Sequence, residues 1–246
     1  MAKGITIFNT GVNEYVKTHA IPTFFYGGYC DGMITYVAER YFFDTSIKLP
    51  TGGFSGGLRL DLRPNINNVY WLTGIVGTGQ NIILAWWVQQ TIGMVQVNTK
   101  ALGILHPNGK IGPSIYSEGI GPSPETSYLD VTHNGRDIVV THHDGTNPKI
   151  KVIDMSGRVL KNVTTTRLYL ALAYAGGGYI AITTGGVIYY LDSNFNELKS
   201  VSSSSPIKPT NVQACYFIPH GNMGDTSNSN HENIWTSPLL AVVHAT

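Results

Sequence analysis

Charged side chains are scarce in this chain. Asp, Glu, Lys and Arg together make up 13% of its 246 residues, and the formal net charge is +1. An average soluble domain is about 25% charged, so we expect a nearly neutral surface that is rich in hydrogen-bonding groups. A net charge near zero provides no long-range attraction for nucleic acid or for an anionic membrane. Neither is therefore expected as a partner.

Other common sequence signals are also missing. The longest apolar runs, such as 82–88, are too short for a membrane-spanning helix. Residues 1–4 lead directly into a strand-like stretch, so no signal peptide is expected. The two cysteines, Cys30 and Cys215, cannot form a disulfide scaffold; two buried thiols are favoured, and a single bridge stays open. Phosphate-binding, dinucleotide-binding and nucleophile-elbow motifs do not occur, so no cofactor is expected.

The strongest positive signal is a short element that occurs five times. In each copy an apolar strand ends at Asn or Asp, a few polar residues follow, and a second strand begins. The five copies end at Asn9, Asp44, Asn98, Asp154 and Asp192. When the two chain ends are joined, five copies account for the whole sequence at about 49 residues each, the period of blade-like arrays.

Two segments show the full repeating unit. Residues 128–163 and 167–201 each contain four short strands of apolar or alternating character, separated by turns rich in Gly, Asn and Asp. Residues 23–50 and 69–105 fit the same unit less closely. Helical periodicity is nearly absent, so the fold class is predicted to be all-β.

The last unit is predicted to combine strands from both chain ends. Its two inner strands come from 211–218 and 238–245, and its two outer strands come from 4–9 and 14–18. This organisation resembles β-propellers, in which shared terminal strands close the ring and remove exposed sheet edges. The resemblance implies one domain over 1–246, a five-bladed β-propeller of four-stranded antiparallel blades. Six blades stay open if one of the longer intervals contains a degenerate copy.

Four insertions rich in Gly, Pro, Ser or Asn exceed the minimal unit. They are residues 51–68, 106–127, 202–210 and 220–233, and all are expected to be loops. The first three join the last strand of one blade to the first strand of the next, on the same face as the turn 144–148. We expect function on this loop-rich face, because blades position loops that bind.

Aromatic and polar side chains on or beside these loops are the candidate ligand-binding residues. They are Tyr116, Tyr128 and Trp235, together with Asp144 and Asn147 on the turn. Aromatic rings stack on the apolar faces of sugars, while amides and carboxylates bind hydroxyl groups. Carbohydrate contact is therefore predicted for them, against the alternative that they pack within the fold.

Two alternative chemistries remain. Asp130 with Glu118 could form the carboxylate pair of a glycosidase, which needs two carboxyl groups about 5 to 10 Å apart. The insertion that contains His220, Asp225 and His231 could bind a cation, although a polar surface loop is favoured over a metal site.

The leading functional prediction is a non-enzymatic recognition or attachment module. Architecture and composition are similar to those of five-bladed lectins and of viral attachment or spike proteins. That similarity implies a virion-surface component that binds a cell-surface glycan or protein receptor, with neighbouring virion or assembly subunits as further partners. The alternatives are a carbohydrate-active enzyme that uses Asp130 and Glu118, and a purely structural capsid or assembly subunit.

Overall fold

The computed structural model describes residues 3–10, 14–21, 25–30, 34–39, 42–48, 54–55, 59–61, 68–78, 81–92, 95–105, 111–120, 128–202, 212–218 and 239–245. All regular secondary structure within these residues is β-strand. Among them there is no helix long and apolar enough to cross a membrane.

The described residues form twenty-one strands. In chain order these are β1 (Lys3–Asn9), β2 (Glu14–Ile21), β3 (Phe25–Cys30), β4 (Ile34–Glu39), β5 (Phe42–Lys48), β6 (Phe54–Ser55), β7 (Arg59–Asp61), β8 (Asn68–Gly77), β9 (Ile82–Ile92), β10 (Val95–Leu105), β11 (Ile111–Ile120), β12 (Tyr128–His133), β13 (Ile138–His143), β14 (Pro148–Ile153), β15 (Val159–Thr164), β16 (Ala171–Tyr174), β17 (Tyr179–Ile182), β18 (Ile188–Leu191), β19 (Glu197–Val201), β20 (Val212–Ile218) and β21 (Leu239–Ala245).

In the described part of the chain these strands pair into five antiparallel sheets. Sheet I contains β3 to β7, with β6 and β7 both paired to β5. Sheets II, III and IV contain β8 to β11, β12 to β15 and β16 to β19, each in sequence order. Sheet V has the order β2-β1-β21-β20. The first strands of adjacent sheets contact one another in the series β3, β8, β12, β16 and β20, and β20 also contacts β3. The fold is therefore all-β and propeller-like.

The predicted sharing of one sheet by the two chain ends is confirmed. Strand β1 pairs with β21 along its whole length, with Ile5 opposite Val243, and β20 pairs with the other side of β21. Sheets III and IV also have the four strands predicted for the two best repeats.

The predicted turns at Asp44 and Asn98 are wrong. Asp44 lies within β5, and Asn98 lies within β10, where it pairs with both neighbouring strands. Gly and Asn favour chain reversals. Gly157 follows Asp154, and Asn194 and Asn196 follow Asp192. The four residues after Asp44 and after Asn98 include neither type, and each strand continues. The outer strands of sheets I and II consequently lie in the insertions 51–68 and 106–127, which were predicted to be loops.

The core consists of apolar side chains packed between adjacent sheets. One cluster joins sheets III and IV and includes Val139, Ile150, Leu172, Tyr179 and Phe195. Similar clusters join sheets II and III and sheets IV and V. Burying each such side chain contributes about 1.5 to 3 kcal/mol, so contact between sheets is the main source of stability.

The turns after Asp154 and Asp192 share one hydrogen-bond pattern but differ at one position. In the first turn the Gly157 N–H donates to the Asp154 carbonyl, and in the second the Phe195 N–H donates to the Asp192 carbonyl. Phe195 therefore occupies the position of Gly157, with φ 70°. Its ring is buried and lies 4.9 Å from the Tyr179 ring. Packing of the ring stabilises a backbone conformation that costs a non-glycine residue about 1 to 2 kcal/mol.

At position 195 a glycine variant is expected to be more stable than an alanine variant, the reverse of the usual order of stability. Both substitutions lose the buried ring, at a cost of about 3 to 5 kcal/mol. Phe195→Gly avoids the backbone cost, so it should be more stable than Phe195→Ala by about 1 kcal/mol. The free energy of unfolding in urea measures the difference. Tyr179 has no positive φ and serves as the control, because Tyr179→Gly should be less stable than Tyr179→Ala. If the alanine variant were the more stable one at both positions, the backbone cost assigned to Phe195 would be contradicted.

Candidate functional site

Charged and polar side chains meet between sheets II and III. Lys100 on β10 lies opposite Glu118 on β11, and Tyr128 on β12 lies opposite His142 on β13. We call this group the lysine–glutamate cluster. Its members are Lys100, Tyr116, Glu118, Tyr128, His142 and Lys151.

The Glu118 carboxylate is the centre of the cluster. Lys151 Nζ lies 2.6 Å and 2.7 Å from its two oxygens, and Lys100 Nζ lies 3.2 Å from Oε1. The hydroxyl of Tyr116 donates to Oε2 and that of Tyr128 to Oε1, each at 3.1 Å. The lysine side chains are only 5% and 4% exposed, whereas Glu118 is 26% exposed. Charge-assisted hydrogen bonds of this kind are short and strong, and here they connect two sheets.

His142 is buried beside this carboxylate. Its Nδ1 lies 3.1 Å from Lys100 Nζ. An ammonium group can only donate hydrogen bonds, so Nδ1 accepts and Nε2 carries the hydrogen of the neutral ring. The Tyr128 ring meets the imidazole edge-on at 5.9 Å. Nε2 has no hydrogen-bond partner among the described residues.

The surroundings of the cluster fix its protonation. Burial alone would raise the pKa of Glu118, but the hydrogen bonds and charges of Lys151 and Lys100 dominate and lower this pKa to about 2. Burial, together with the same two ammonium groups, lowers the pKa of His142 to about 4. Burial and the Glu118 charge raise the pKa of Tyr116 to about 12. At neutral pH the cluster therefore contains a carboxylate, a neutral imidazole and protonated phenols.

Asp130 lies on β12 and is 1% exposed. Its Oδ1 accepts the Val131 N–H at 2.9 Å, and its Oδ2 accepts the Leu172 N–H at 2.8 Å. The Cys215 main chain also donates to this carboxylate. Burial raises the pKa of Asp130 well above its usual range, against the opposing effect of these bonds. Asp130 and Glu118 thus have separate sets of hydrogen-bond partners.

The predicted ligand-binding residues have different surroundings. Tyr128 is fully buried, so its ring presents no surface for stacking, and Tyr116 is half-buried. Asp144 Oδ1 accepts the N–H groups of Thr146 at 2.8 Å and Asn147 at 2.7 Å, which fixes an exposed turn. Lys149 forms an ion pair with Asp144 at 3.2 Å. The turn hydrogen bonds lower the pKa of Asp144.

Several predicted positions lie outside the described residues. They are Trp235, His220, Asp225 and His231. Within the described ranges, no group of three or more His, Cys, Asp or Glu side chains could hold a metal ion. Cys215 is a buried free thiol, and the side chain of Cys30 lies outside the described part.

Sequence reasoning missed Lys100, Lys151 and His142. The available signal was the position of each lysine within an apolar strand, as in Ile150-Lys151-Val152, in a chain with few charged residues. A lysine that is almost fully buried requires a partner. Glu118 could have been its predicted partner only if 106–127 had been predicted to contain a strand.

Comparison with known proteins supports the fold. No family profile and no curated protein sequence matches the chain. Among solved structures, the chain is similar to a protein of unknown function from Bacteroides caccae, with a TM-score of 0.50, 10% identity, and coverage of 90% of this chain and 81% of that one. It is also similar to the glutaminyl cyclase of Myxococcus xanthus, with a TM-score of 0.51, 11% identity and 91% of both chains covered. Such low identities support a propeller-like fold alone.

His142 is expected to make stability depend on pH above the range in which carboxylates titrate. Between pH 7 and pH 5 the unfolded chain protonates this histidine, with an ordinary pKa of 6.5, whereas the folded protein keeps it neutral. Its contribution to stability is therefore lost as pH falls, by about 2 kcal/mol over this range. His142→Asn retains an acceptor for Lys100 but cannot titrate. Urea unfolding at pH 7, 6 and 5 should show a correspondingly smaller loss in the variant, and identical losses would contradict the assignment.

Glu118→Gln is expected to destabilise the protein strongly at pH 7. The substitution removes the negative charge that two buried ammonium groups share, and breaking such a pair costs about 3 to 5 kcal/mol. Glu197→Gln is the matched control. Glu197 lies 3.2 Å from Arg167, which is 49% exposed, and the Gln side chain retains an oxygen that can accept from the Tyr169 hydroxyl. Loss of this charge should therefore cost at most about 1 kcal/mol. Equal effects in urea unfolding would contradict the view that the cluster stabilises the contact between sheets II and III.

Proposed function

We propose that the chain is a non-enzymatic recognition module, built as a closed five-bladed β-propeller, that binds a cell-surface glycan or protein receptor. The binding surface is the connection face, defined as the face where the last strand of each sheet leads to the first strand of the next. It includes the turn 144–147. The observation that carries this proposal is that neither candidate carboxylate is available for hydrolysis.

The closed ring is supported by contacts between first strands. Each contacts the first strand of the next sheet, and β20 contacts β3. In sheet V, main-chain hydrogen bonds join the strand nearest one chain end, β1, to the strand nearest the other, β21, as in propellers whose terminal strands share one blade. Five sheets of this kind correspond to five blades.

The chemistry of Glu118 argues against hydrolysis. A glycosidase needs one carboxylic acid that is protonated near neutral pH and a second carboxylate that faces the same bond. The pKa of Glu118 is lowered to about 2, so this group cannot supply a proton. Asp130 has a raised pKa, but both of its oxygens accept main-chain N–H groups and it is 1% exposed. The pair therefore lacks an accessible acid.

The turn 144–147 has the properties of a recognition element. Its backbone is fixed by the Asp144 carboxylate, and its four residues are exposed. A turn that is already ordered loses little conformational entropy when it binds. The virion-surface setting stays a prediction from composition.

Asn147→Ala is expected to weaken binding without loss of stability, because the side-chain amide is exposed while the turn depends on the main chain. Fluorescently labelled protein on a glycan array, followed by mass spectrometry of the bound glycans, measures both binding and cleavage. The loss of one or two hydrogen bonds should reduce affinity about tenfold.

Asn194→Ala is the matched control. Asn194 is exposed on the opposite face, in the turn between β18 and β19. An equal loss in both variants would overturn the connection face as the binding surface. Cleaved glycans would overturn the non-enzymatic assignment. If the labelled protein binds no glycan on the array but binds whole cells, and protease treatment of those cells abolishes that binding, the receptor is a protein.

A further inference from the structure

A cavity of about 320 Å3 lies between sheets IV and V. It lies at the ends of β1, β16, β18 and β20, on the face opposite the connection face. Its lining includes Thr10, Tyr179, Tyr190, Leu198, Lys199 and Phe217. Ligand sites span about 300 to 1,000 Å3, so the volume is at the small end of that range and leaves room for an aromatic side chain with part of its neighbours.

The neighbouring sheet provides an internal comparison. In sheet III, Val152 pairs with Lys161, and Leu160 is the extra residue of a β-bulge. In sheet IV, Tyr190 pairs with Lys199, and Leu198 is the extra residue of the same bulge. The two sheets therefore place corresponding residues toward the next sheet, and their differences can be compared position by position.

The space beside the two leucines is filled differently. Leu160 is half-buried and packs against the cluster that includes Tyr179 and Phe195 of the next sheet. Leu198 is 68% exposed and lines the cavity. Aromatic side chains from sheet IV thus cover one bulge leucine, while an open space adjoins the other.

The two corresponding lysines differ in the same way. Lys161 Nζ donates to Asn194 Oδ1 at 3.0 Å, across to the turn of sheet IV. Lys199 Nζ instead lies 4.2 Å from the centre of the Tyr190 ring in its own sheet. The cavity therefore combines the aromatic side chains of Tyr190 and Phe217 with an exposed positive charge on Lys199.

We propose that this cavity binds an aromatic side chain adjacent to a carboxylate on a partner polypeptide. The ring occupies the space beside Leu198, which corresponds to the space that aromatic side chains of sheet IV fill beside Leu160. The carboxylate pairs with Lys199. A polypeptide is favoured over a small aromatic acid because Leu198 lines the cavity yet is 68% exposed, so an occupant that extends out of the cavity would bury more apolar surface. The proposal does not depend on the glycan-binding function above.

Capped tetrapeptides test this proposal with the intact protein. Gly-Asp-Phe-Gly is the probe, Gly-Asp-Ala-Gly lacks the ring, and Gly-Lys-Phe-Gly reverses the charge; amide NMR shifts report binding. We expect the probe to bind with a dissociation constant on the order of 1 mM and both comparison peptides to bind more weakly. Phenylacetate serves as the small-molecule comparison and should bind more weakly than the probe.

Two exposed positions allow substitution without disturbing the core. Lys199→Gln should weaken binding of the probe about two- to fivefold, and Leu198→Ser about fivefold. Lys161→Gln, at the corresponding position of sheet III, should leave binding unchanged. The proposal is overturned by no binding of the probe, by equal binding of the peptide without the ring, by variants that bind as the native protein does, or by phenylacetate binding as tightly as the probe.

Discussion

The buried carboxylate of Asp130 connects the first strands of three sheets. It accepts main-chain N–H groups from Val131 on β12, Leu172 on β16 and Cys215 on β20. These strands belong to different hydrogen-bonded ladders, so no ladder fixes their relative position. A buried carboxylate is costly unless it is fully hydrogen-bonded, and each N–H it accepts would otherwise lack a partner. The Asp130 side chain thus satisfies the main-chain N–H groups and is itself hydrogen-bonded by them. These bonds align the first strands of the three sheets, and the packing of the outer strands depends on that alignment.

The parts of the fold that were predictable from sequence are those marked by turn chemistry. Asp154 with Gly157 marks the hairpin between the last two strands of sheet III, and Asp192 marks the corresponding hairpin of sheet IV. The alternating strands around these two turns predict the four strands of each sheet. Sheet II was misassigned because Asn98 ends an apolar stretch as Asp154 does, although the four residues after Asn98 include no Gly or Asn to favour a turn. That error placed Glu118 on a loop. The lysine–glutamate cluster was not predictable, because its members come from two sheets whose relative register depends on packing and is absent from local sequence pattern.

Sheets III and IV show how a repeated unit acquires distinct properties. Their backbones share a bulge and a turn, but Lys151 in one stands where Tyr189 stands in the other. Gly157 likewise corresponds to Phe195, and the half-buried Leu160 to the exposed Leu198. Each substitution leaves the ladder intact and changes what the sheet presents to its neighbour. One gap therefore contains an ionic network, the next an aromatic core, and the third an open cavity.

The pairing of β1 with β21 has a kinetic consequence. Ile5 and Val243 are neighbours in the ladder, yet almost the entire chain separates them. Closing a loop of that length costs entropy before any contact offsets it, and folds dominated by such distant pairings assemble slowly. During translation β1 emerges first and must wait for β21, so its edge stays open to other strands while the remaining sheets form. A circular permutant, in which the two ends are joined and the chain is opened at a surface turn, would make this pairing local. It should fold faster while it keeps the same native contacts, so the speed of folding would change without a matching change in stability.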